Sequence, residues 1–410
     1  MHLDALARLL LQIGVIVGVA QVFTRLGRRI GQPAVVSEIL AGIALGPSLL
    51  GAFWPDAAAF LFPPSSLGGL EAVAQLGLIL FMFLVGLELD PALIRRSGRS
   101  AIALSQAGIV VPFGLGLALA SQVHDELSLP GVPFLSFALF LGVAMSITAF
   151  PVLARLLTER GMVGTPLGSI VLAAAAIDDV TAWCLLAFVV SFVRAEGASA
   201  ALVTVGLALA FALVMLTVGR HLMKKLAVPD APPSRERFTV VLLLVLASAL
   251  TTEAIGIHAL FGAFVAGAML PHEGAFASGL RERLEDLVVV AMLPIFFAHS
   301  GLRTELGLLD SSRDLLLCAL VVGVAVVGKL GGVAIAARIV GHPWREATTL
   351  GVLMNTRGLM ELVVLHVGLD LGVLSPKLFT MMVVMAVVTT VATGPAVSWL
   401  GAAKRRTAAA

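Results

Sequence analysis

The chain has 410 residues, of which 59% are hydrophobic and only 13% charged, with a net charge of +2 and a mean hydropathy of +1.04. Ordinary soluble domains are roughly 45–50% apolar, so this composition belongs in a bilayer and leaves no room for a soluble catalytic domain. An enzyme is not expected, and the small net charge gives no electrostatic footprint for nucleic acid. Cys184 and Cys318 fall in apolar segments of different helices, where a small polarizable side chain is ordinary packing material, so no disulfide, metal or cofactor chemistry is read from them.

A spanning helix needs about 20 mostly apolar residues. Stretches of that kind predict an all-α polytopic membrane protein with thirteen transmembrane helices, near 3–26, 34–51, 67–89, 98–122, 134–159, 164–193, 198–223, 236–256, 258–272, 285–308, 314–338, 345–373 and 376–402. The start, Met1-His2-Leu3-Asp4, carries no basic leader, and the first helix is expected to stay in the mature protein.

Lys and Arg collect in alternate loops, at positions 25–29, 95–99, 155–160, 220–237, 281–283, 338–345 and 404–406. The opposite loops hold only Arg194, Arg303, Arg313 and Lys377. Positive charge marks the cytoplasmic side, so an odd number of spans puts the N-terminus outside and the C-terminus in the cytoplasm. The longest hydrophilic loop, 224–237 with its Pro-Asp-Ala-Pro-Pro run, falls near the middle and is expected to join two halves.

Helices one to six and eight to thirteen then form inverted repeats, with the seventh as connector. The fifth and twelfth correspond, and both are interrupted: Ser146-Ile147-Thr148-Ala149-Phe150-Pro151 in one, Asn355-Thr356-Arg357-Gly358 in the other. Two interrupted helices at matching places are the sequence pattern of a transporter binding site. Pro151 donates no backbone hydrogen bond and leaves a nearby carbonyl free to face an ion or a polar neighbour. A simple packing kink is the alternative for the fifth helix taken alone.

Asp178-Asp179 sits 14 to 15 residues into the sixth helix, about 21 Å along at ~1.5 Å per residue and hence near mid-membrane. Two carboxylates there need compensation or a function. Adjacent residues point about 100° apart, so one can be paired while the other faces a cavity. Lys329, flanked by Gly328, Gly331 and Gly332 and far from both ends of the eleventh helix, is the natural partner for one aspartate. Arg357 and Glu361 share a helical face, which fits an internal ion pair as well as direct ion contact. Glu38, Glu71 and Glu253 lie near helix ends, and His299 is expected to be a hydrogen-bonded packing residue.

These motifs together resemble the monovalent cation:proton antiporter family of bacterial sodium/proton exchangers, potassium efflux systems and plant cation/H⁺ exchangers. The resemblance rests on Pro33 to Pro47 (PAVVSEILAGIALGP), Met145 to Arg155 (MSITAFPVLAR), the Asp-Asp helix, Gly328-Lys329 and Met354 to Leu362 (MNTRGLMEL). It covers the transmembrane part, since the sequence ends just past Arg406. The fifth- and twelfth-helix strings look closest to the plant type, which usually carries Asn-Asp at the aspartate position. The Asp-Asp pair is that of electrogenic sodium/proton exchangers.

The resemblance implies an NhaA-like antiporter fold. Asp179 would carry the cation (Na⁺ or K⁺) or the proton, Asp178 would pair with Lys329, and Thr148, Asp178 and carbonyls near Pro151 would add oxygen ligands. Ser146, Asn355, Arg357 and Glu361 would shape the surroundings. It implies N-terminal scaffold and dimerisation helices over 1–97, core ion-binding helices over 98–194, a connecting helix over 195–224, further scaffold helices over 225–308, core helices over 309–403 and a cytoplasmic tail over 404–410. The expected function is Na⁺ (or Li⁺)/H⁺ exchange by alternating access in the bacterial inner membrane, as a homodimer; K⁺/H⁺ exchange on the same fold and a cation channel are the rivals. Gly42-Ile43-Ala44-Leu45-Gly46 is a small-residue packing face that serves within one subunit as readily as between two.

Overall fold

The computed structural model describes residues 4–88, 98–162, 165–194, 198–227 and 231–407, and among them every regular element is helical. Met1 to Leu3, Arg95, Arg96, Pro229 and Asp230 lie outside the described residues, as do the side chains of Lys404 to Arg406. Helical structure follows from the solvent, because a bilayer offers backbone N–H and C=O groups no partner and each spanning segment must bond within itself.

Among the described residues eleven helices are long and apolar enough to cross a membrane, and Trp344–Met354 with Leu359–Asp370, bent by 47° at their junction, make a twelfth if the pair counts as one broken span. The protein is therefore a multi-pass membrane protein. The thirteenth expected span is not confirmed: the predicted ninth helix is Ala259–Ala268, ten residues, only about 15 Å of rise. Another correction concerns the predicted helix 285–308. It begins at Ala275 and ends at Leu302, because its first segment, Ala275–Leu287, is amphipathic and carries Arg281, Glu282, Arg283, Glu285 and Asp286, which an apolar-stretch criterion passes over.

Among the described residues three helices contain a π-helical turn, at Met215–Gly219, Val288–Met292 and Val327–Gly331. The third one contains Lys329. Such single turns with one extra residue often mark functional positions.

By Cα packing the chain divides into two compact units. One comprises residues 1–20, 53–90 and 187–299; the other comprises 21–52, 91–186 and 300–410. The segment 21–52, expected with the N-terminal scaffold, groups with the second unit. In the first unit Gly86 and Gly267 allow helices Leu67–Glu88 and Ala259–Ala268 to meet backbone to backbone. In the second, Gly42 and Gly46 meet Gly301 in the same way, so the Gly-x-x-x-Gly motif packs within the subunit.

A methyl group on Gly301 would fall inside the backbone of Gly42 and Ile43, whereas one on Gly307 would meet nothing within 4 Å. Gly301→Val is expected to destabilise the detergent-solubilised protein by about 1–3 kcal/mol, the usual range for overpacking, while Gly307→Ala leaves the melting temperature near wild type. Equal melting temperatures for the two variants would refute this packing assignment.

Candidate functional site

The site lies wholly within the second unit. Its centre is the crossing of two broken helices. The fifth predicted helix stops at Ser146 and restarts at Phe150, and the twelfth stops at Met354 and restarts at Leu359. The two breaks are joined directly, with the Ala149 amide donating to the Thr356 carbonyl at 3.0 Å. Pro151 falls in the first turn of the second half-helix, where a missing N–H has no intrahelical partner to lose. It therefore favours a restart at Phe150.

A helix that ends inside a membrane leaves its last carbonyls without intrahelical donors. Here two cations fill them. Arg357 donates through Nη1 to Ala144 O at 3.2 Å and through Nη2 to Met145 O at 2.7 Å. Lys329 Nζ donates to the next carbonyl, that of Ser146, at 2.5 Å. The carbonyls before the break are thus held by protein cations, and Ser146 Oγ turns back to Gly142 O and Ile109 O at 2.7 and 3.2 Å.

Lys329 makes two further hydrogen bonds, to Gly108 O and to Asp178 Oδ2, both 2.7 Å. The Gly108 carbonyl is available because Pro112, four residues on within helix Gly98–Leu127, supplies no N–H to it. Three donors meet three acceptors, so this ammonium is fully satisfied despite being completely buried. Close approach is possible because Gly328 and Gly332 abut Pro112 and Val111, where a Cβ would come within about 3 Å of its neighbour.

Asp178, also completely buried, accepts hydrogen bonds from Thr148 Oγ1 at 2.5 Å and Ser105 Oγ at 3.3 Å in addition to Lys329. Thr148 lies within reach of Met354 O as well, at 3.1 Å. Thr148, read as an oxygen ligand for the ion beside Asp179, is placed against Asp178. Arg357 and Glu361 form the second buried ion pair, at 2.7 Å, and the Arg357 backbone is pinned on both sides by Thr390 Oγ1. Asn355 caps the first half of the twelfth helix and is buried, with its Oδ1 unpaired.

Asp179 stands apart. It is only 2% exposed, and neither carboxylate oxygen accepts a hydrogen bond of ordinary geometry. It lines a small cavity together with Ile147, Ala182, Trp183, Leu186, Met360 and Val364. Two adjacent residues on one helix therefore have opposite surroundings: Asp178 points into the hydrogen-bond network and Asp179 into an apolar cavity.

Sequence reasoning passed over Ser105, Gly108, Thr390 and Trp183. Two of them had a readable signal, since Pro112 marks Gly108 as the carbonyl it deprives of a donor and Trp183 follows Asp179 by four residues on one helical face. Ser105 and Thr390 had none beyond being polar in apolar helices.

Two interrupted helices crossing beside buried ionisable groups, in a bundle of membrane-length helices, define the class of secondary transporters. The chain belongs to the sodium/hydrogen exchanger family, whose transmembrane region it matches over residues 15–403. It is 44% identical to the Na⁺/H⁺ antiporter NhaS4 of Synechocystis sp., over 97% of this chain and 98% of that protein. Identity to cation/H⁺ antiporter 17 of Arabidopsis thaliana is 42%, over 96% of this chain and 48% of the relative. The K⁺/H⁺ antiporter 1 of Saccharomyces cerevisiae is 37% identical, over 89% and 43%. The chain thus spans about half the length of the plant and yeast relatives. The sodium proton antiporter MjNhaP1 of Methanocaldococcus jannaschii shares the fold, with a TM-score of 0.66 at 14% identity over 93% of this chain and 96% of that one.

Removing one partner of a buried pair costs about 3–5 kcal/mol, because the other charge is stranded. Lys329→Met is expected to destabilise by that amount, and adding Asp178→Asn should recover much of the loss. A thermal-melting double-mutant cycle reads the coupling, and additive losses would contradict the pairing. Arg357→Leu with Glu361→Gln should behave in the same way.

Proposed function

We propose that this chain is a secondary antiporter that exchanges Na⁺ or Li⁺ for protons by alternating access, with Asp179 as the shared carrier. The observation behind this reading is the charge balance of the crossing. Asp178 is matched by Lys329 and Glu361 by Arg357, which leaves the Asp179 carboxyl as the group whose charge must be met by something mobile. Loaded with either a proton or a monovalent cation the carboxyl is neutral. Unloaded, it is a bare charge in a low-dielectric site, which costs several kcal/mol. Only the loaded forms cross, and proton and cation compete for one place.

In this reading the Asp178–Lys329 pair is a fixed frame. All three Lys329 protons have acceptors, so losing one would strand an oxygen. That favours one proton per cation. The name of the cyanobacterial relative supports Na⁺, whereas the yeast relative and the plant-like strings around the breaks support a second reading, K⁺/H⁺ exchange. The helices over 98–194 and 309–403 would form the moving core, with scaffold helices over 1–97 and 225–308, the connector over 195–224 and a homodimer as the family resemblance implies.

A plasma (inner) membrane location with the C-terminus in the cytoplasm is supported by the loop charges. Arg194, Arg303, Arg313 and Lys377, on the sparsely basic side, each pair with an acid: Glu253, Asp370, Glu126 and Asp314. Most Lys and Arg of the short loops lie on the other side, which the positive-inside rule makes the cytoplasmic one.

In proteoliposomes, adding Na⁺ or Li⁺ to the purified protein should drive proton movement in the opposite direction, and Asp179→Asn should reduce exchange to background. Exchange at wild-type rate in that variant would sink the carrier assignment. Clamping the voltage with valinomycin should leave the rate unchanged; a rate that follows voltage would mean that Lys329 also gives up a proton. A rate that is larger with K⁺ than with Na⁺ would select the second reading.

A further inference from the structure

Trp183 is 4% exposed, and its indole Nε1–H has no hydrogen-bond partner. It sits one helical turn beyond Asp179, and both residues line the same cavity. Three buried polar atoms without a hydrogen bond of ordinary geometry, the two Asp179 oxygens, which only the Phe150 amide approaches, and Trp183 Nε1, therefore belong to two side chains bordering one space. The other lining side chains are those of Ile147, Ala182, Leu186, Met360 and Val364, none of which can serve a polar atom. The cavity measures about 10 Å³, about the minimum for one water molecule.

We propose that Trp183 is a positioning residue that holds one water against Asp179, and that this water is a ligand of the transported cation. The inference rests on Asp179 being the carrier. Chemistry favours a water in this place. An indole N–H donates only and cannot ligate a cation, yet a carboxylate alone gives an alkali cation at most two oxygens. A water that accepts the indole hydrogen still has a second lone pair for the cation and two protons of its own for the carboxylate. When Asp179 is protonated instead, its O–H donates to that second lone pair. One water thereby serves both loaded forms, and the substrate is a monovalent cation carried with one water retained.

The test separates hydrogen bond from shape. Trp183→Phe removes the N–H but also shrinks the ring, so Trp183 is replaced in parallel by benzothienylalanine, which keeps the bicyclic shape with sulfur in place of N–H. Both should raise the half-saturating Na⁺ or Li⁺ concentration in proteoliposomes by about fivefold to tenfold, the worth of one hydrogen bond, with a smaller effect on maximal rate. A wild-type half-saturating concentration in the benzothienylalanine protein overturns the proposal, and a shift confined to Trp183→Phe assigns the residue to packing. Asp179→Asn in the same assay distinguishes the two levels. If it is inactive, a failed Trp183 result removes the water alone. If it exchanges normally, the carrier reading itself has failed.

Discussion

An ammonium group in the middle of a membrane costs too much to keep unless every one of its protons finds an oxygen, and the arrangement around Lys329 follows from that requirement. Side-chain carboxylates are one source of oxygen, but each brings a charge that needs its own compensation. Backbone carbonyls bring only dipoles. Two of the three acceptors of Lys329 are carbonyls that intrahelical bonding has released, one by the end of a half-helix at Ser146 and one by Pro112 opposite Gly108. Arg357 takes the two preceding carbonyls of the same half-helix end. The interrupted helix is therefore stabilised by the cations, and the cations by the interruption. Neither is tenable in hydrocarbon without the other.

The same requirement separates the two aspartates. Asp178 accepts from Lys329, Thr148 and Ser105, three fixed donors that hold it as part of the frame. Asp179, turned about 100° around the helix, meets Ile147, Leu186, Met360 and Val364 instead. Identical groups in consecutive positions are thus given opposite tasks by the packing of neighbouring helices. In the proposed carrier role, such a desolvated carboxyl in an otherwise neutral site would take one positive charge at a time.

Much of this is legible in the sequence, for physical reasons. The breaks at residues 146–151 and 355–358 announce themselves as polar, Pro and Gly residues in segments that should otherwise be continuous and apolar. Asp178, Asp179, Lys329, Arg357 and Glu361 stand out because a bilayer makes each of them costly. What sequence reading missed is of two kinds. Helix 275–302 begins with an amphipathic segment rich in Arg and Glu, and charge on one face hides a helix from any test of total hydropathy. The acceptor at Gly108 has no polar side chain at all. It becomes visible only when a proline is read for the carbonyl it frees four residues upstream, an inference made for Pro151, where the chain restarts, and not for Pro112, where the helix continues.

Glycine and the π-helical turn complete the logic of the site. Lys329 has to reach oxygens on three different helices, those containing Gly108, Ser146 and Asp178, and its side chain can do so only if its own backbone lies close to them. Gly328 and Gly332 remove the Cβ atoms that would hold helix Gly98–Leu127 away, and Gly351 does the same toward the carbonyl of Leu330. The extra residue in the π-helical turn Val327–Gly331 shifts the helical register at the lysine relative to a continuous α-helix. These features weaken an isolated helix, since glycine costs about 1 kcal/mol relative to alanine in a helix interior. In return they allow an ion pair without intervening space. The local sequence of this helix is accordingly poor for helix stability and good for close approach, which is what a buried charge demands of the segment that carries it.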